Sequence, residues 1–285
     1  MKKVLILGAT GMLGSAVYDV LKDRYSLVLT VREKNKIALL EKAYGDTKKH
    51  RVIEFDAAKV KGDPNYYADF LGEVGDVDYV INAIGVTVPF AQKDPDLTFF
   101  INGKLPHILA DTFGAKLIHI ATDAVFDGVK DFPYDENSPK HPAGIYAESK
   151  SLGEPANCLT LRTSIIGREL EGKAGLLEWF LGQHGTTVKG FVNHLWNGIT
   201  AREFGVICDR LMSAPEKFPR TGLYHIFSTT VSKYDMLLVF REKWRIDCEI
   251  VPEKSSAVNR TLATIHDLNA KLEIPSFEEM LAELH

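Results

Sequence analysis

Three residues of this chain have the types and the spacing to handle a proton on a carbonyl or hydroxyl oxygen. They are Thr122, Tyr146 and Lys150, in the segments HIATDAVFDG and GIYAESKSLGE. A tyrosine four residues before a lysine places both side chains on one face of a helix. There the ammonium biases the phenol toward ionisation, and a hydroxyl from an earlier strand end can hydrogen-bond the oxygen being reduced or oxidised. The spacing alone does not select the pair, because the chain contains Tyr18–Lys22, Tyr44–Lys48 and Tyr146–Lys150. Context has to choose among them.

The context is an alternation of short apolar runs with helical patterns. Strands are expected at Val4–Leu7, Leu27–Val31, Arg51–Phe55, Tyr79–Ala83, Lys116–Ala121, Cys158–Arg162 and Leu223–Phe227, with helices between them such as Leu13–Lys22 and Leu105–Phe113. Strands alternating with helices predict a parallel sheet covered on both faces. The unbroken apolar character of VLIL and YVINA fits strands buried on both sides. The expected fold is therefore α/β: a Rossmann-type doubly wound parallel sheet with a small C-terminal substrate-binding lobe. Residues 1–171 and 201–240 would form the dinucleotide-binding domain. The glycine-, aromatic- and amide-rich stretch 172–200 and the tail 241–285 would form the lobe, on the side where ligands meet the carboxyl ends of the strands.

Composition narrows the function. The chain has 285 residues, 45% hydrophobic and 25% charged, with a formal net charge of -4, which offers no electrostatic footprint for nucleic acid or an anionic membrane. Cys158, Cys208 and Cys248 are scattered and odd in number, which favours a reducing, cytoplasmic location over a disulfide framework. The opening MKKVLILGATG is too short in its apolar run for a secretory core and reads as a first strand. His119 is expected to be a satisfied core residue, and no His/Asp/Glu cluster has metal-ligand spacing, so no catalytic metal is expected.

Directly after the first strand, GATGMLG spaces Gly8, Gly11 and Gly14 as Gly-x-x-Gly-x-x-Gly. Glycines there permit the tight turn, the close approach of backbone to a pyrophosphate, and close helix packing, while the helix N-terminus faces the phosphates. Thr10, Met12 and Leu13 belong to the same turn. At the end of the second strand Arg32 stands where an acid would bind the ribose of NAD, with Lys34 and Lys36 nearby. That favours NADP(H), while NAD(H) stays possible through Glu33. Asp56 is placed to touch the adenine, and Asn82, Ala83 and Gly85 line the path toward the ribose.

GATGMLG, INAIGVT, INGKLP, ATDAVFDG, YAESKSLGE and LRTSIIG come in the order and spacing of the extended short-chain dehydrogenases/reductases, and within them the chain most resembles the dTDP-4-dehydrorhamnose reductase family. The resemblance covers nearly the whole length, and it selects Tyr146–Lys150 over the other two pairs. It implies that Tyr146 protonates the carbonyl oxygen as hydride arrives. A free phenol titrates near about 10, so Lys150 and an oxidised cofactor would have to lower it. Lys150 would also hold the nicotinamide ribose, with Thr163 at the cofactor too, and Thr122 would orient the substrate oxygen. On the substrate side the resemblance implies Thr87, Asp123 and Ala124.

Departures from the family pattern bear on the substrate. Ala124 replaces the tyrosine after Thr-Asp, Ile165 stands where a tryptophan often follows Leu-Arg-Thr-Ser, and Pro89 and Phe90 replace Val-Asp. The pocket is expected to be wider and less aromatic, with Asn193, His194, Trp196 and Asn197 offering alternative ring contacts. Arg202 would either pair with a nucleotide diphosphate or cap the helix beginning near Thr200. The reading is an NADPH-dependent reductase of a nucleotide-linked 4-keto-6-deoxy sugar serving surface polysaccharide synthesis. A dehydratase would need an acid where Ala124 stands, and an epimerase would retain NAD, which Arg32 disfavours. A non-catalytic role is the third option, since the regulatory beta subunit of methionine adenosyltransferase resembles the same reductases. A homodimer through the helices after the fourth and fifth strands is also implied.

Overall fold

Each apolar run becomes a strand, and the helical pattern after it packs back onto the sheet. In chain order the first elements are β1 (Lys3–Leu7), α1 (Met12–Leu21), β2 (Ser26–Val31), α2 (Ile37–Tyr44), β3 (Arg51–Glu54), α3 (Pro64–Val74) and β4 (Tyr79–Asn82). Next come the short α4 (Val88–Ala91) and α5 (Pro95–Thr98), then α6 (Leu105–Phe113), β5 (Leu117–Thr122), α7 (Gly144–Leu152), β6 (Leu159–Thr163) and β7 (Ile165–Ile166). A π-helical stretch, Phe99–Lys104, leads from α5 into α6. The later elements are α8 (Leu176–Leu181), β8 (Thr186–Phe191), β9 (His194–Trp196), β10 (Ile199–Thr200), α9 (Ala201–Ser213) and β11 (Gly222–His225). The chain closes with β12 (Val231–Ser232), α10 (Lys233–Trp244), β13 (Cys248–Glu253), β14 (Val258–Asn259), α11 (Leu268–Lys271) and α12 (Phe277–Ala282). This computed structural model describes residues 1–45, 47–172 and 174–284. Positions 173 and 285 of the expected lobe lie outside the described residues.

The main sheet has seven strands in the order β11-β6-β5-β4-β1-β2-β3. Every pairing in it is parallel, with Leu5 opposite Val28 on one side and Val80 on the other. Because β1 lies between β2 and β4, the winding reverses there, and a crevice opens beyond the carboxyl ends of β1 and β4. Alternate side chains feed two cores. Val4, Ile6, Leu27, Leu29, Ile81 and Leu161 face α1 and α9, which contribute Val17, Leu21, Phe204 and Ile207. Leu5, Leu7, Val28 and Val80 face α3 and α6, which contribute Phe70, Val74, Leu105 and Leu109. Each such aliphatic side chain is worth about 1.5–3 kcal/mol when fully buried.

A third core joins α8, β8, α10, β13 and α12 through Leu177, Phe180, Val188, Phe240, Ile250 and Phe277. The expected boundary at residue 240 is therefore corrected. It would cut α10, whose Met236, Leu237 and Phe240 belong to this third core, so the break falls before Lys233. The tail is not wholly part of the lobe either, since Leu268 of α11 and Leu272, just past it, pack into the first core. His119 donates from Nε2 to the Gly153 carbonyl at 2.9 Å, and its Nδ1 accepts from Asn82 at 3.1 Å. Burial holds this imidazole well below its usual range, so it stays neutral.

The seam between α7 and β6 is electrostatic. Glu154, just past α7, accepts two hydrogen bonds from Arg162 of β6, Nε at 3.0 Å and Nη2 at 2.8 Å. Arg162 is 1% exposed and also donates from Nη1 to His225 Nε2 of β11 at 2.7 Å. His225 in turn donates from Nδ1 to the Ala263 carbonyl at 2.8 Å. Breaking a buried pair from one side leaves an uncompensated charge and costs about 3–5 kcal/mol. Glu154→Ala is accordingly expected to lower unfolding free energy by about that amount in urea titrations, with Glu154→Leu/Arg162→Met recovering most of it. Equal losses in the single and double variants would contradict this account.

Candidate active site

Two cavities occupy the crevice and meet at Thr10, Gly11 and Glu171. The first, about 500 Å³, lies over the carboxyl ends of β1, β2 and β4 and is lined by Gly8, Arg32, Asp56, Ala83 and Gly85 among others. The three glycines of the turn act differently. Gly8 adopts a positive φ of 79°, which other residues rarely adopt. A Cβ on Gly14 would sit 2.1 Å from the Gly8 carbonyl oxygen, so α1 can approach the turn only with glycine there. A Cβ on Gly11 would meet one protein atom, at 3.5 Å, and Gly11 faces both cavities. Its smallness serves whatever lies in the crevice, as close backbone approach to a dinucleotide pyrophosphate requires. The cradle fits that group.

Arg32 and Glu33 both line the first cavity, Arg32 as the residue directly after β2. Lys36 bonds Glu171 at 2.7 and 2.5 Å, bridging the rim above the point where the cavities meet. Asp56 accepts from the Ala58 N–H at 3.0 Å, with its own N–H on the Tyr66 hydroxyl at 2.7 Å. Three expected cofactor contacts are placed elsewhere. Asn82 is buried and spent on His119 and on the Ile84 N–H, so it shapes the turn from beneath. Leu13 belongs to the first core, and Thr163 is buried with its hydroxyl on the Ser164 carbonyl at 3.3 Å. Ser164, the next residue, is the one on the cavity wall.

The second cavity, about 390 Å³, brings Met12, Thr87, Tyr146, Ile165, Trp196 and Lys233 together. Tyr146 reaches it from α7 and Thr122 ends β5, its Oγ1 accepting from the Ala124 N–H at 3.2 Å. Burial raises the Tyr146 phenol above its ordinary range, the neighbouring Thr122 hydroxyl pulls it back, and Asp123 pushes it up again. The expected depression by Lys150 is thus corrected. The Lys150 ammonium donates to the Ile120 carbonyl at 2.9 Å, and its own burial brings it down to about 8. Of the other two tyrosine–lysine pairs, Tyr18 is buried in the first core against His50 and Tyr44, and neither tyrosine lines this cavity.

The substrate-side expectations divide. Thr87 and Trp196 line the cavity. Asp123 lies beside Thr122, its carboxyl raised by burial against the pull of Arg260, Lys233, Thr122 and Ser164. Ala124 is half-buried and not on the wall. Asn193 is corrected: its amide donates to the Ser255 carbonyl at 2.6 Å and ties two loops of the lobe. Arg202 is corrected as well. It points to the outer face of α1, 3.4 Å from Asp19 and 3.9 Å from Glu283, and the cap of α9 is the Thr200 hydroxyl. The cavity is not short of aromatic surface, because Phe90 and Trp196 supply what Ala124 and Ile165 do not. Lys233 and Ser164 escaped the sequence reading. The signal for Lys233 was present as Ser232-x-x-Asp235, an N-cap starting a helix after the last sheet strand. Among the described residues no group of three His, Cys, Asp or Glu could hold a metal ion, and no helix is long and apolar enough to cross a membrane.

Comparison with known proteins agrees with this fold. The family model of the RmlD substrate binding domain matches residues 1–279. The spore coat polysaccharide biosynthesis protein SpsK of Bacillus subtilis is 29% identical over 219 residues, covering 75% of this chain and 65% of that protein. A probable low-salt glycan biosynthesis reductase, Agl14 of Haloferax volcanii, is 32% identical over 171 residues, 56% of this chain and 52% of its own. The chain thus spans less than two thirds of the length of either relative. A crystal structure of dTDP-4-dehydrorhamnose reductase from Bacillus anthracis in complex with NADP superposes with a TM-score of 0.71 at 19% identity, covering 99% of this chain and 98% of that one. At that identity the likeness speaks for the fold.

The glycine turn makes a sharp prediction. Gly11→Ala should leave the melting temperature unchanged and weaken NADPH binding about tenfold or more in fluorescence titration. Gly14→Ala should lose stability first, because its Cβ meets backbone. Unaltered NADPH affinity in folded Gly11→Ala would remove the cofactor from this cradle.

Proposed function

The chain belongs to the RmlD substrate binding domain family, and from that premise we propose that it is an NADPH-dependent reductase of a nucleotide-linked 4-keto-6-deoxy sugar. The observation that carries this reading is the meeting of the two cavities at Thr10 and Gly11, with Tyr146 on the wall of the second. The names of the relatives, in polysaccharide and glycan biosynthesis, support the substrate class. The dinucleotide, when bound, supplies the hydride. Arg32 favours the extra phosphate of NADPH, Asp56 meets the adenine end, and Lys150 holds the nicotinamide ribose. Thr122 orients the keto oxygen, and Tyr146 gives that oxygen its proton as the carbon is reduced, leaving a hydroxyl. Ala124 leaves no acid beside Asp123 for a dehydration.

The lobe built on α8, β8, α10 and β13 would hold the nucleotide sugar. A cytoplasmic setting suits both the cofactor and the three free cysteines. A homodimer through α6 and α7 would cover Leu152, which is 62% exposed.

Turnover of dTDP-4-keto-6-deoxyglucose with NADPH tests the reading. Tyr146→Phe should lower kcat by about 10²–10⁴ while NADPH still binds. Full turnover by this variant, or none by the wild type with any keto-sugar nucleotide, would sink it. The phenol is raised above its usual value, so its proton is present throughout the neutral range and reduction should slow only at alkaline pH. Lys150 loses its charge as pH rises through about 8, so NADPH affinity should fall across that window, and the fall should be absent in Lys150→Met.

A further inference from the structure

The reductase reading leaves a cation on the cavity wall unused. Lys233, the first residue of α10, is the one lysine or arginine among the described residues lining the second cavity. Its ammonium lies 5.5 Å from the centre of the Trp196 ring and 3.9 Å from Met236 Sδ. Among the described residues no carboxylate comes within ion-pairing distance of it. Asp123 acts on it only from further away. The two acids of the same wall are engaged elsewhere, Glu169 with the Ala174 and Gly175 N–H groups and Glu171 with Lys36.

We propose that Lys233 binds an anionic group of the substrate, either a phosphate of the nucleotide diphosphate or a carboxylate on the sugar. The inference rests on the nucleotide-sugar reading above. Stability does not account for this lysine. The first turn of a helix carries partial positive charge, so a cation there is unfavourable, and Asp235 at the same end shows the favourable choice. Burial adds to the cost and brings the ammonium down to about 8, yet most of it remains charged at neutral pH. An arriving anion reverses both penalties, and it finds the ammonium already placed. The Trp196 face supports the cation, and Phe277, edge-on to that ring at 5.8 Å, holds the indole still. Apolar neighbours, Ile165, Ile166 and Leu177, exclude water and strengthen a charge-assisted bond.

The test compares wild type, Lys233→Met and Lys233→Arg by calorimetry with NADP⁺ present. The probes are thymidine, dTDP, UDP-glucose and UDP-glucuronate, and melting temperature and NADPH affinity are measured in parallel. Lys233→Met should melt no lower than wild type and bind NADPH normally. If the anion is the diphosphate, dTDP and both UDP-sugars weaken together by about tenfold while thymidine does not. If it is a sugar carboxylate, only UDP-glucuronate weakens. Lys233→Arg should keep the wild-type pattern in either case. Wild-type affinity of Lys233→Met for every probe would overturn the proposal, as would a lowered melting temperature with uniform loss that includes NADPH. Failure of the wild type itself to bind any nucleoside diphosphate would remove the nucleotide-sugar reading, and the inference with it.

Discussion

The buried pair of Glu154 and Arg162 is the constraint from which the placement of the site follows. A guanidinium sealed inside a sheet is tolerable only if its charge and hydrogen-bonding groups are met with good geometry. Glu154 meets it from the end of α7 and His225 meets it from β11. The pair thereby sets how α7 lies against the sheet, and α7 carries Tyr146 and Lys150. A second polar tie works from the other side. Asn102, in the π-helical stretch, both donates to and accepts from the backbone of Val86, at 2.9 and 2.8 Å, and donates to Ser149 of α7 at 3.2 Å. The turn after β4 and the helix bearing the tyrosine are thus held by one side chain.

Around the second cavity four ionisable groups are displaced toward neutrality. Tyr146 and Asp123 are raised by burial, while Lys150 and Lys233 are brought down to about 8. Such opposed shifts arise where low-dielectric walls disfavour charge of either sign, and they cluster at functional sites. The buried histidines show the same physics without a cavity. His119 and His225 stay neutral and are spent on carbonyls, an amide and a guanidinium, so they brace the sheet.

Much of the fold was legible because local rules and tertiary structure agree. All seven expected sheet strands form, with ends shifted by a residue or two, since VLIL or YVINA can only be satisfied with cover on both faces. Where legibility failed, contacts distant in sequence decided. Asn82 and Asn193 are polar residues in suggestive places, but each finds a partner 37 and 62 positions away that uses up its amide. Arg202 follows an N-cap threonine as read, yet its direction depends on Asp19 of α1. The expected loss of aromatic surface follows from Ala124 and Ile165, but Trp196, an expected alternative ring contact, and Phe90 enter the cavity from other elements.

The residues by themselves determined the glycine turn, the strand–helix alternation, the threonine-tyrosine-lysine constellation and the family, because each is a matter of local spacing and residue type. Only the tertiary structure decided which polar side chains are free to meet a ligand. Whether a carboxylate, amide or ammonium is spent or available depends on partners that the chain brings together across many residues, and on burial that no local pattern records. Lys150 on the Ile120 carbonyl, Arg202 turned to Asp19, and Lys233 facing the cavity with no carboxylate at ion-pairing distance among the described residues were settled at that level.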